Sequence, residues 1–446
     1  MSIEEIARTV KLYAHSNRSN PDFFRLIENE LFERELDVVN YRVVGTLLEG
    51  FSHSNLGSAT LYNSLANTIK IAQHEIHPLE LAKYAFYFSK TNENIKGGFG
   101  VYKIAEDKLK NILEVTDFED IIKIVKYFVS QNIGSNAFLE LVEKSLMKQY
   151  PGNDMGGIPP GYLVKLIKYT SKHYFQYNDK ALFHKLEADA IKLIPFLTSQ
   201  QVLTILWSYS RARRGSLDLY KKLEERILEI GIEKFQSHYL VKILTGMNIR
   251  NAFQSLNEQL LTPILKYMKS QIGKCKYSEA LNFLYTLVEV PPYHLINEDG
   301  QRRNIQEEYD KLFVEFEYSY YKKAQYKYKI DETCQIYYAF CQNNFGSSSE
   351  FLSFIEQQLT PTSIPKPYFA KIIYSFTQHM KFSQALPLIP IIKELMKYGD
   401  IKYFFSHEDY IRICWSSLLL EQTIKNSQEI DQHDEDTAYL KNYSKK

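Results

Sequence analysis

The sequence predicts an all-α protein, a right-handed-type α-solenoid of about eleven antiparallel helix pairs with a repeat of about 40 residues. Three observations lead to this prediction. Glycine (18) and proline (14) make up only about 7% of the 446 residues, against a usual ~12%. Apolar residues recur three and four positions apart, as on one face of a helix, and no sustained strand-like alternation interrupts them. The same pattern then returns at a nearly constant interval along the chain.

The interval is set by a residue near the end of the first helix of each predicted pair. In the first six pairs this residue is a serine, at spacings of 35 to 41 residues: Ser16, Ser54, Ser89, Ser130, Ser171 and Ser210. The pattern continues less regularly, with one interval of 52, at Met247, Val288, Phe340, Phe376 and Ser417. Because one helix pair cannot bury its apolar face alone, we expect the pairs to stack into one continuous array rather than into three separate domains.

Each clear repeat reads as a helix, a short polar loop and a second helix with a phenylalanine or tyrosine near its start. This reading applies, in chain order, to residues 4–34, 77–113, 116–149 and 197–231. Helix starts are indicated by capping-box spacing at Thr198 with Gln201 and at Thr116 with Glu119, and by an N-cap serine at Ser406.

Breaks in the pattern divide the array into segments. We predict N-terminal helical repeats over 1–149, a loop and hinge over 150–161, central repeats over 162–288, an insertion loop over 289–305, C-terminal repeats over 306–422 and a polar tail over 423–446.

The bulk composition excludes several classes of protein. With 45% apolar and 14% aromatic residues the chain is not disordered or collagenous, and its net charge of +1 shows no overall basic excess. Four cysteines without a C-x-x-C pair do not make a disulfide scaffold, and Cys334 and Cys341 are interpreted as small buried hydrophobes. No apolar run approaches the ~18 residues of a membrane span, so no membrane insertion is expected. The acidic N-terminus does not resemble a transit peptide.

No catalytic, cofactor or metal motif stands out. The glycine-rich stretches near Gly98 and Gly157 lack the lysine and the strand–helix context of a phosphate loop and are interpreted as loops. His74 and His77 are separated by a helix start and are interpreted as surface residues. His15 and His53 each precede the marker serine, which favours a packing or capping role. We therefore expect no enzyme, no cofactor and no metal.

The distribution of charge is more informative than its sum. Residues 160–214 contain nine basic and three acidic residues, whereas residues 1–50 are net acidic. Lys165, Lys168 and Lys172 are spaced to share one helical face, and the equivalent loop one repeat later carries Arg211, Arg213 and Arg214. These six residues are the leading candidates for contacts with nucleic-acid phosphates. A solvated face, or a dock for an acidic protein, remains the alternative interpretation.

A second candidate lies where lysines alternate with tyrosines. Lys322, Lys323, Tyr326 and Lys327 combine positive charge with rings on which bases can stack. The same stretch is also consistent with a helix end and linker, and the aromatic stripe before it is typical of a core.

The sixth repeat resembles a known group of repeats. The residues that carry the resemblance are Leu203, Leu206, Trp207, Ser208, Tyr209, Ser210, Tyr220, Leu223 and Ile227. They resemble the repeats of FAST-kinase-like and RAP-associated organellar proteins and of their octotricopeptide and heptatricopeptide relatives. The resemblance implies an organellar, mostly mitochondrial or plastid, protein that acts on RNA or within a ribosomal assembly. Residues 397–446 contain no visible RAP domain, so the resemblance does not imply a nuclease.

Two functions follow as hypotheses. The first is a non-enzymatic helical-repeat protein of a mitochondrial RNA-linked assembly, either a mitoribosome component or an RNA maturation factor. Its partners would be protein subunits together with single-stranded or ribosomal RNA. The alternative is a protein-only scaffold, an accessory subunit of a large mitochondrial complex such as a respiratory-chain or ATP synthase assembly.

Overall fold

The structure is a computed structural model whose described part is entirely helices and short turns. It describes residues 1–16, 20–34, 40–91, 98–150, 158–171, 180–249, 258–288, 305–322, 328–342, 349–360, 363–378 and 411–420, with residues 385, 388, 406, 409 and 422. None of these residues lies in a β-strand. The predicted all-α class is therefore confirmed. Within these ranges no helix is both long enough and apolar enough to cross a membrane.

The described helices follow one another in chain order. In the N-terminal half they are α1 (Ile3–His15), α2 (Pro21–Phe32), α3 (Tyr41–Ser54), α4 (Ala59–Ile71), α5 (Pro78–Ser89), α6 (Gly98–Lys110), α7 (Phe118–Tyr127), α8 (Asn136–Gln149), α9 (Pro160–Thr170), α10 (Lys180–Leu193), α11 (Ser199–Arg211) and α12 (Leu217–Ile230). They continue as α13 (Ser237–Ile249), α14 (Glu258–Gln271), α15 (Tyr277–Val288), α16 (Ile305–Glu317), α17 (Ile330–Gln342), α18 (Ser349–Glu356) and α19 (Phe369–Gln378). Residues 411–420 are also helical.

The chain divides into two compact units, Met1–Ile227 and Leu228–Lys446. In the first unit the first helices of successive pairs form one layer, in which α1 packs on α3, α3 on α5, α5 on α7, α7 on α9 and α9 on α11. We call these six helices the first layer. Helices α2, α4, α6, α8 and α10, the second layer, each pack on the first helix of their own pair, and α4, α6 and α8 also pack in order. Packing between neighbours in sequence is the arrangement expected of an α-solenoid.

The second unit repeats this pattern. Helix α13 packs on α15, α15 on α17 and α17 on α19, while α14 packs on α16. Within pairs, α13 contacts α14 and α17 contacts α18. The predicted loop 150–161, insertion 289–305 and tail 423–446 fall largely outside the described residues, so those segment boundaries stay predictions.

Three of the turns from a first to a second helix have the same backbone conformation. Each begins with a residue in the left-handed region, at φ of 51° to 54°: Asn55, Asn132 and Arg213. Two residues later comes a glycine at φ of 95° to 106°: Gly57, Gly134 and Gly215. The amide between them donates to the carbonyl five residues earlier at 3.0 to 3.2 Å, which ends the first helix in a Schellman-type cap.

The glycine in this turn is required by both its conformation and its surroundings. A Cβ on Gly57 would lie 3.0 Å from the Phe51 ring and 3.2 Å from the Tyr62 ring. A Cβ on Gly134 would lie 3.1 Å from two phenylalanine rings in the same way. The turn therefore draws the chain tightly over the aromatic residues of its own pair.

A serine follows each of these glycines, and a glutamate from the preceding pair caps it. Glu106 of α6 accepts the Ser135 amide at 2.8 Å and also the Ser135 hydroxyl. The other two pairs are Glu28 with the amide and hydroxyl of Ser58, and Glu187 with the amide of Ser216 at 2.7 Å. Glu106 and Glu187 are buried. Each carboxylate thus joins one helix pair to the next at the start of a second helix, where backbone amides lack helical partners.

The environment of Glu106 favours its ionised form. Burial, the largest effect, raises the pKa of this carboxyl, but hydrogen bonds from Lys110 and Ser135 together outweigh it and leave the pKa lowered. Lys110 Nζ lies 2.5 Å from the carboxylate. The buried carboxylate is therefore stabilised by three donors, namely Lys110 and the amide and hydroxyl of Ser135.

The sequence predicted some helix starts correctly and missed one. The capping box at Thr198 is confirmed, with Gln201 Oε1 accepting the Thr198 amide at 3.0 Å, and Ser406 caps its segment by accepting the Asp409 amide at 3.1 Å. The predicted box at Thr116 is wrong. Asp117 caps α7 instead, accepting the Asp120 amide at 2.8 Å. Aspartate is at least as good an N-cap as threonine, so the helix starts one residue later.

The cysteine prediction is confirmed for the pair on α17. Cys334 and Cys341 are both buried, and neither forms a disulfide bond. Burial raises the pKa of the Cys334 thiol to about 12, so this side chain acts as a small apolar group.

The glutamate cap gives a stability prediction. Replacing Glu106 by alanine removes the buried carboxylate that accepts the Ser135 amide and hydroxyl, and it should lower the free energy of unfolding by about 2 kcal/mol, because hydrogen bonds to a charged group contribute ~1.5–3 kcal/mol. Urea unfolding followed by circular dichroism measures this change. The control is Glu114→Ala at an exposed turn, which should change the free energy by less than about 0.5 kcal/mol. Equal effects of the two substitutions would contradict the role assigned to the cap.

Candidate functional site

Lys165 and Lys168 lie on the exposed side of α9, as their spacing predicted. Lys165 Nζ lies 5.2 Å from the centre of the Tyr162 ring. A hydrogen bond with Glu119 raises the pKa of Tyr162, so this ring is linked to α7 as well. Lys172 lies outside the described residues and stays a prediction.

The three arginines at the end of α11 do not have equivalent surroundings. Arg211 is exposed at the end of the helix, and Arg213 is exposed in the left-handed turn position. Arg214 is half-buried, with its guanidinium 4.5 Å from the centre of the Phe183 ring of α10. Its carbonyl accepts the Tyr220 hydroxyl at 2.9 Å. Arg214 therefore has a packing role, and Arg211 and Arg213 are the two arginines exposed to solvent.

The lysine–tyrosine candidate in the second unit is only partly described. Residues Lys323, Tyr326 and Lys327, and the side chain of Lys322, lie outside the described part and stay predictions. The tyrosines beside them pack inward. The Tyr320 hydroxyl donates to the carbonyls of Ile272 and Cys275 at 2.6 and 3.0 Å, and the Tyr321 ring lies 4.9 Å from the Phe351 ring. These neighbours favour a structural role for the aromatic part of the motif.

The first layer contains a cavity that the spacing of basic residues did not reveal. It has a volume of about 180 Å³ and is formed only by α1, α3, α5, α7 and the residue that ends α5. Its lining residues are His15, Glu49, Ser52, His53, Lys83, Phe86, Tyr87, Lys90, Lys126 and Tyr127. We call it the basic cavity. No second-layer helix lines the cavity. The cavity therefore opens on the face of the first layer that does not pack against the second layer, which we call the uncovered side.

Close helix packing brings the cavity residues together. Glu49 lies on α3, next to Gly50, where a Cβ would come within 2.7 Å of Val10 on α1. On the other side of α3, a Cβ on Gly45 would overlap the Tyr84 ring of α5 at 2.4 Å. The two glycines thus allow both neighbouring helices to approach the helix that carries the glutamate.

Glu49 is the centre of an ion-pair network that joins three helices. Its carboxylate lies 3.1 Å from Lys11 Nζ, 3.4 Å from His15 Nε2 and 3.5 Å from Lys83 Nζ. Burial, the largest effect, raises the pKa of Glu49, but Lys11, Lys83 and the Tyr87 hydroxyl together outweigh it and leave the pKa lowered. The carboxylate is thus ionised and already neutralised by its own neighbours.

Two histidines stack beside this network. The ring centres of His15 and His53 are 4.4 Å apart. Burial lowers the pKa of His53, and His15 and Lys90 lower it further, while Glu49 acts in the opposite direction. The recurrence of histidine before the marker serine therefore reflects a contact between neighbouring repeats, in agreement with the packing role expected from the sequence.

Two lysines hold their charges over aromatic rings in the cavity. Lys90 Nζ lies 4.4 Å and Lys126 Nζ 5.7 Å from the centre of the Phe86 ring, and Lys126 is also 5.3 Å from the Tyr127 ring. Burial lowers the pKa of Lys126, and the charges of Lys83, Lys165 and Lys168 lower it further. The predicted lysine face of α9 therefore lies close enough to the basic cavity to lower the pKa of one of the lysines that line it.

Ser52 and His77 both have structural hydrogen-bond partners. The Ser52 hydroxyl donates to the backbone carbonyl of Glu49 at 3.2 Å rather than to a histidine. Within the described ranges there is no group of three histidine, cysteine, aspartate or glutamate side chains that could hold a metal ion. His77 serves as the N-cap of α5, accepting the Leu79 amide at 3.3 Å.

Comparison of the chain with protein-family models finds no matching family, and comparison with curated proteins finds no match.

The stacked histidines give a prediction about pKa. The pKa of His53 should lie below 6.5 in the folded protein. Replacing Glu49 by glutamine should lower it further, because this carboxylate is the group that raises it. Nuclear magnetic resonance titration of the imidazole, assigned with a His53→Gln variant, measures both values.

The lowered pKa of His53 also determines how this residue makes stability depend on pH. A histidine whose pKa is lower in the folded state binds protons more readily when unfolded, so its contribution to stability is present above pH 6.5 and is lost as pH falls through the folded-state value. A pKa at or above 6.5 in the folded protein, or a rise in the Glu49→Gln variant, would contradict the arrangement described for the cavity.

Proposed function

We propose that the protein is a non-enzymatic helical-repeat protein that binds single-stranded RNA on the uncovered side of its first layer, within a mitochondrial RNA-linked assembly. The observation that carries this proposal is a row of lysines across three neighbouring helices. The charges of Lys83 on α5 and of Lys165 and Lys168 on α9 each lower the pKa of Lys126 on α7, so the four lysines lie near one another. We call these four residues the lysine row.

Aromatic side chains accompany the lysine row. Tyr127, Tyr169 and Trp207 are partly exposed on α7, α9 and α11. A basic path with rings beside it suits single-stranded nucleic acid, because the charges contact the backbone and the rings can stack on bases of any sequence. Because successive first-layer helices each contribute to it, the path can contact several nucleotides in turn.

The proposal includes a fold for the whole chain. We infer a right-handed α-solenoid of about eleven helix pairs, as the 40-residue interval suggests. The resemblance of the sixth repeat to FAST-kinase-like and RAP-associated proteins supports the RNA-linked and mitochondrial parts of the proposal. The environment of Ser52, whose hydroxyl bonds to the backbone, supports a binding rather than a catalytic role.

The alternative, a protein-only scaffold of a mitochondrial respiratory or ATP synthase assembly, is favoured by a different set of residues. Several large apolar side chains of the first unit are exposed at ends of second-layer helices or near them, namely Ile71, Phe99, Val115 and Phe196, with exposed fractions of 69% to 85%. Such side chains suit a protein interface. The two functions use different sides of the layers, so each can be tested separately.

Reversal of charge in the lysine row tests RNA binding. The double variant Lys165→Glu/Lys168→Glu should reduce affinity for single-stranded RNA by about tenfold or more at low salt. It should also reduce the slope of log K against log salt by about 1.4, at ~0.7 per lost phosphate contact. Fluorescence anisotropy across a salt series measures both. Neither substitution touches Arg214, so the packing on Phe183 stays intact.

The matched control is Lys144→Glu/Lys148→Glu, which makes the same change of charge on two exposed lysines of second-layer helix α8. It should lower affinity much less than the lysine-row variant. Equal losses would show only an effect of net charge. If the wild-type protein does not bind single-stranded RNA even at low salt, the scaffold function replaces the RNA function. Identification of proteins that co-purify with the native protein then separates ribosomal from respiratory assemblies.

A further inference from the structure

The basic cavity has an excess of positive groups over acceptors. Its only carboxylate, Glu49, is engaged by Lys11, His15 and Lys83. The other charged or titratable lining groups are His53, Lys90, Lys126 and two tyrosines. The glutamate network neutralises the side of the cavity toward α1, whereas α7 contributes the ammonium group of Lys126.

Lys126 is the residue that most needs a negative partner. It is half-buried, and no carboxylate of the described residues lies within ion-pair distance of its ammonium group. Its neighbours are the rings of Phe86 and Tyr127 and the charges of three other lysines, which lower its pKa, whereas the more distant carboxylate of Glu49 raises it. A partly desolvated cation among like charges is unfavourable unless an anion joins it.

The size of the cavity limits what the anion can be. A volume of about 180 Å³ accommodates one phosphoryl group with its attached oxygens. Because the cavity is open to solvent on one side, the rest of a larger ligand can extend over the surface next to it.

We propose that the basic cavity binds the terminal 5′-phosphate of a single-stranded RNA, whose chain then continues over Tyr127 toward the lysines of α9. This inference rests on the proposed RNA-binding function and adds an end-specific site to it. A phosphate monoester carries nearly two negative charges at neutral pH and three terminal oxygens, whereas an internal phosphodiester carries one charge and two such oxygens. Ammonium groups that converge from two helices favour the ligand with more charge and more acceptors.

The residues around the cavity determine the direction in which the bound RNA leaves it. Lys165 and Lys168 lie on the α9 side of Lys126 and influence its charge. On the opposite side, toward α1, Lys11, His15 and Lys83 are already engaged by Glu49 and offer a second phosphate little positive charge. A 5′-terminal phosphate in the cavity therefore places the following phosphates over α7 and α9 and not over α1.

The test compares two RNAs of the same sequence, about 12 nucleotides long, one with a 5′-phosphate and one with a 5′-hydroxyl. The full-length protein should bind the phosphorylated RNA about tenfold more tightly, as expected for one additional charge-assisted contact. Lys126→Gln should remove this difference. The control Lys123→Gln lies one turn earlier on α7, where Lys123 pairs with Asp120 at 2.6 Å outside the cavity, and it should keep the difference.

Inorganic phosphate provides a readout that does not depend on RNA. It should raise the pKa of His53, because an anion in the cavity favours the protonated imidazole, and it should compete with the phosphorylated RNA but not with the hydroxyl form. Neither effect should occur in the Lys126→Gln variant, whose folding is checked by circular dichroism.

The outcomes separate this inference from the proposed function. Equal, salt-sensitive binding of both RNAs would overturn the end-specific site and leave RNA binding intact. A rise in the pKa of His53 with phosphate, in a protein that binds neither RNA, would overturn both the RNA end and the RNA function. A preference for the 5′-phosphate that survives Lys126→Gln would place the phosphate elsewhere and contradict the cavity as its site.

Discussion

A carboxylate at the junction between helix pairs is the interaction on which the first unit depends. Glu28, Glu106 and Glu187 each reach from a second helix to the start of the next one. Each contact satisfies a backbone amide that the helix cannot satisfy itself, so breaking it leaves both a charge and a donor without a partner. With the rigid turn before it, this contact sets the offset between successive pairs. The order of the first layer, and hence the position of every lysine on its uncovered side, follows from that offset.

The distribution of charge across the first layer explains how a nearly neutral protein can present a basic surface. Carboxylates of the second layer, such as Glu106, are used in the interior. On the uncovered side, Glu49 is neutralised by Lys11 and Lys83. Lys126 and Lys165 lie over aromatic rings, and Lys168 is exposed on the same helix as Lys165. The net charge is therefore near zero although this surface is locally positive, because the carboxylates form hydrogen bonds and ion pairs within the protein.

Much of the fold could be predicted from the sequence, and less of the site. The helices follow from apolar spacing, and the short turns from Asn-x-Gly-Ser segments at 55–58 and 132–135. The lysine face of α9 is local and could be predicted, since Lys165 and Lys168 are one turn apart. The basic cavity could not, because Glu49, Lys83 and Lys126 are far apart in sequence and meet only through close helix packing. The stacking of Arg214 on Phe183 was missed for the same reason, since a charge pattern does not distinguish a solvated arginine from a packed one.

The central claim is that RNA contacts the uncovered side of the first layer. Ultraviolet crosslinking of the protein to single-stranded RNA, followed by mass spectrometry of the crosslinked peptides, tests it most directly. The account predicts crosslinks at Tyr127, Tyr169 and Trp207 on the first layer. It predicts none at Phe99 and Phe196, although these two are more exposed, at 69% and 77%. Crosslinks concentrated at Phe99 and Phe196, or none at any first-layer residue, would contradict it.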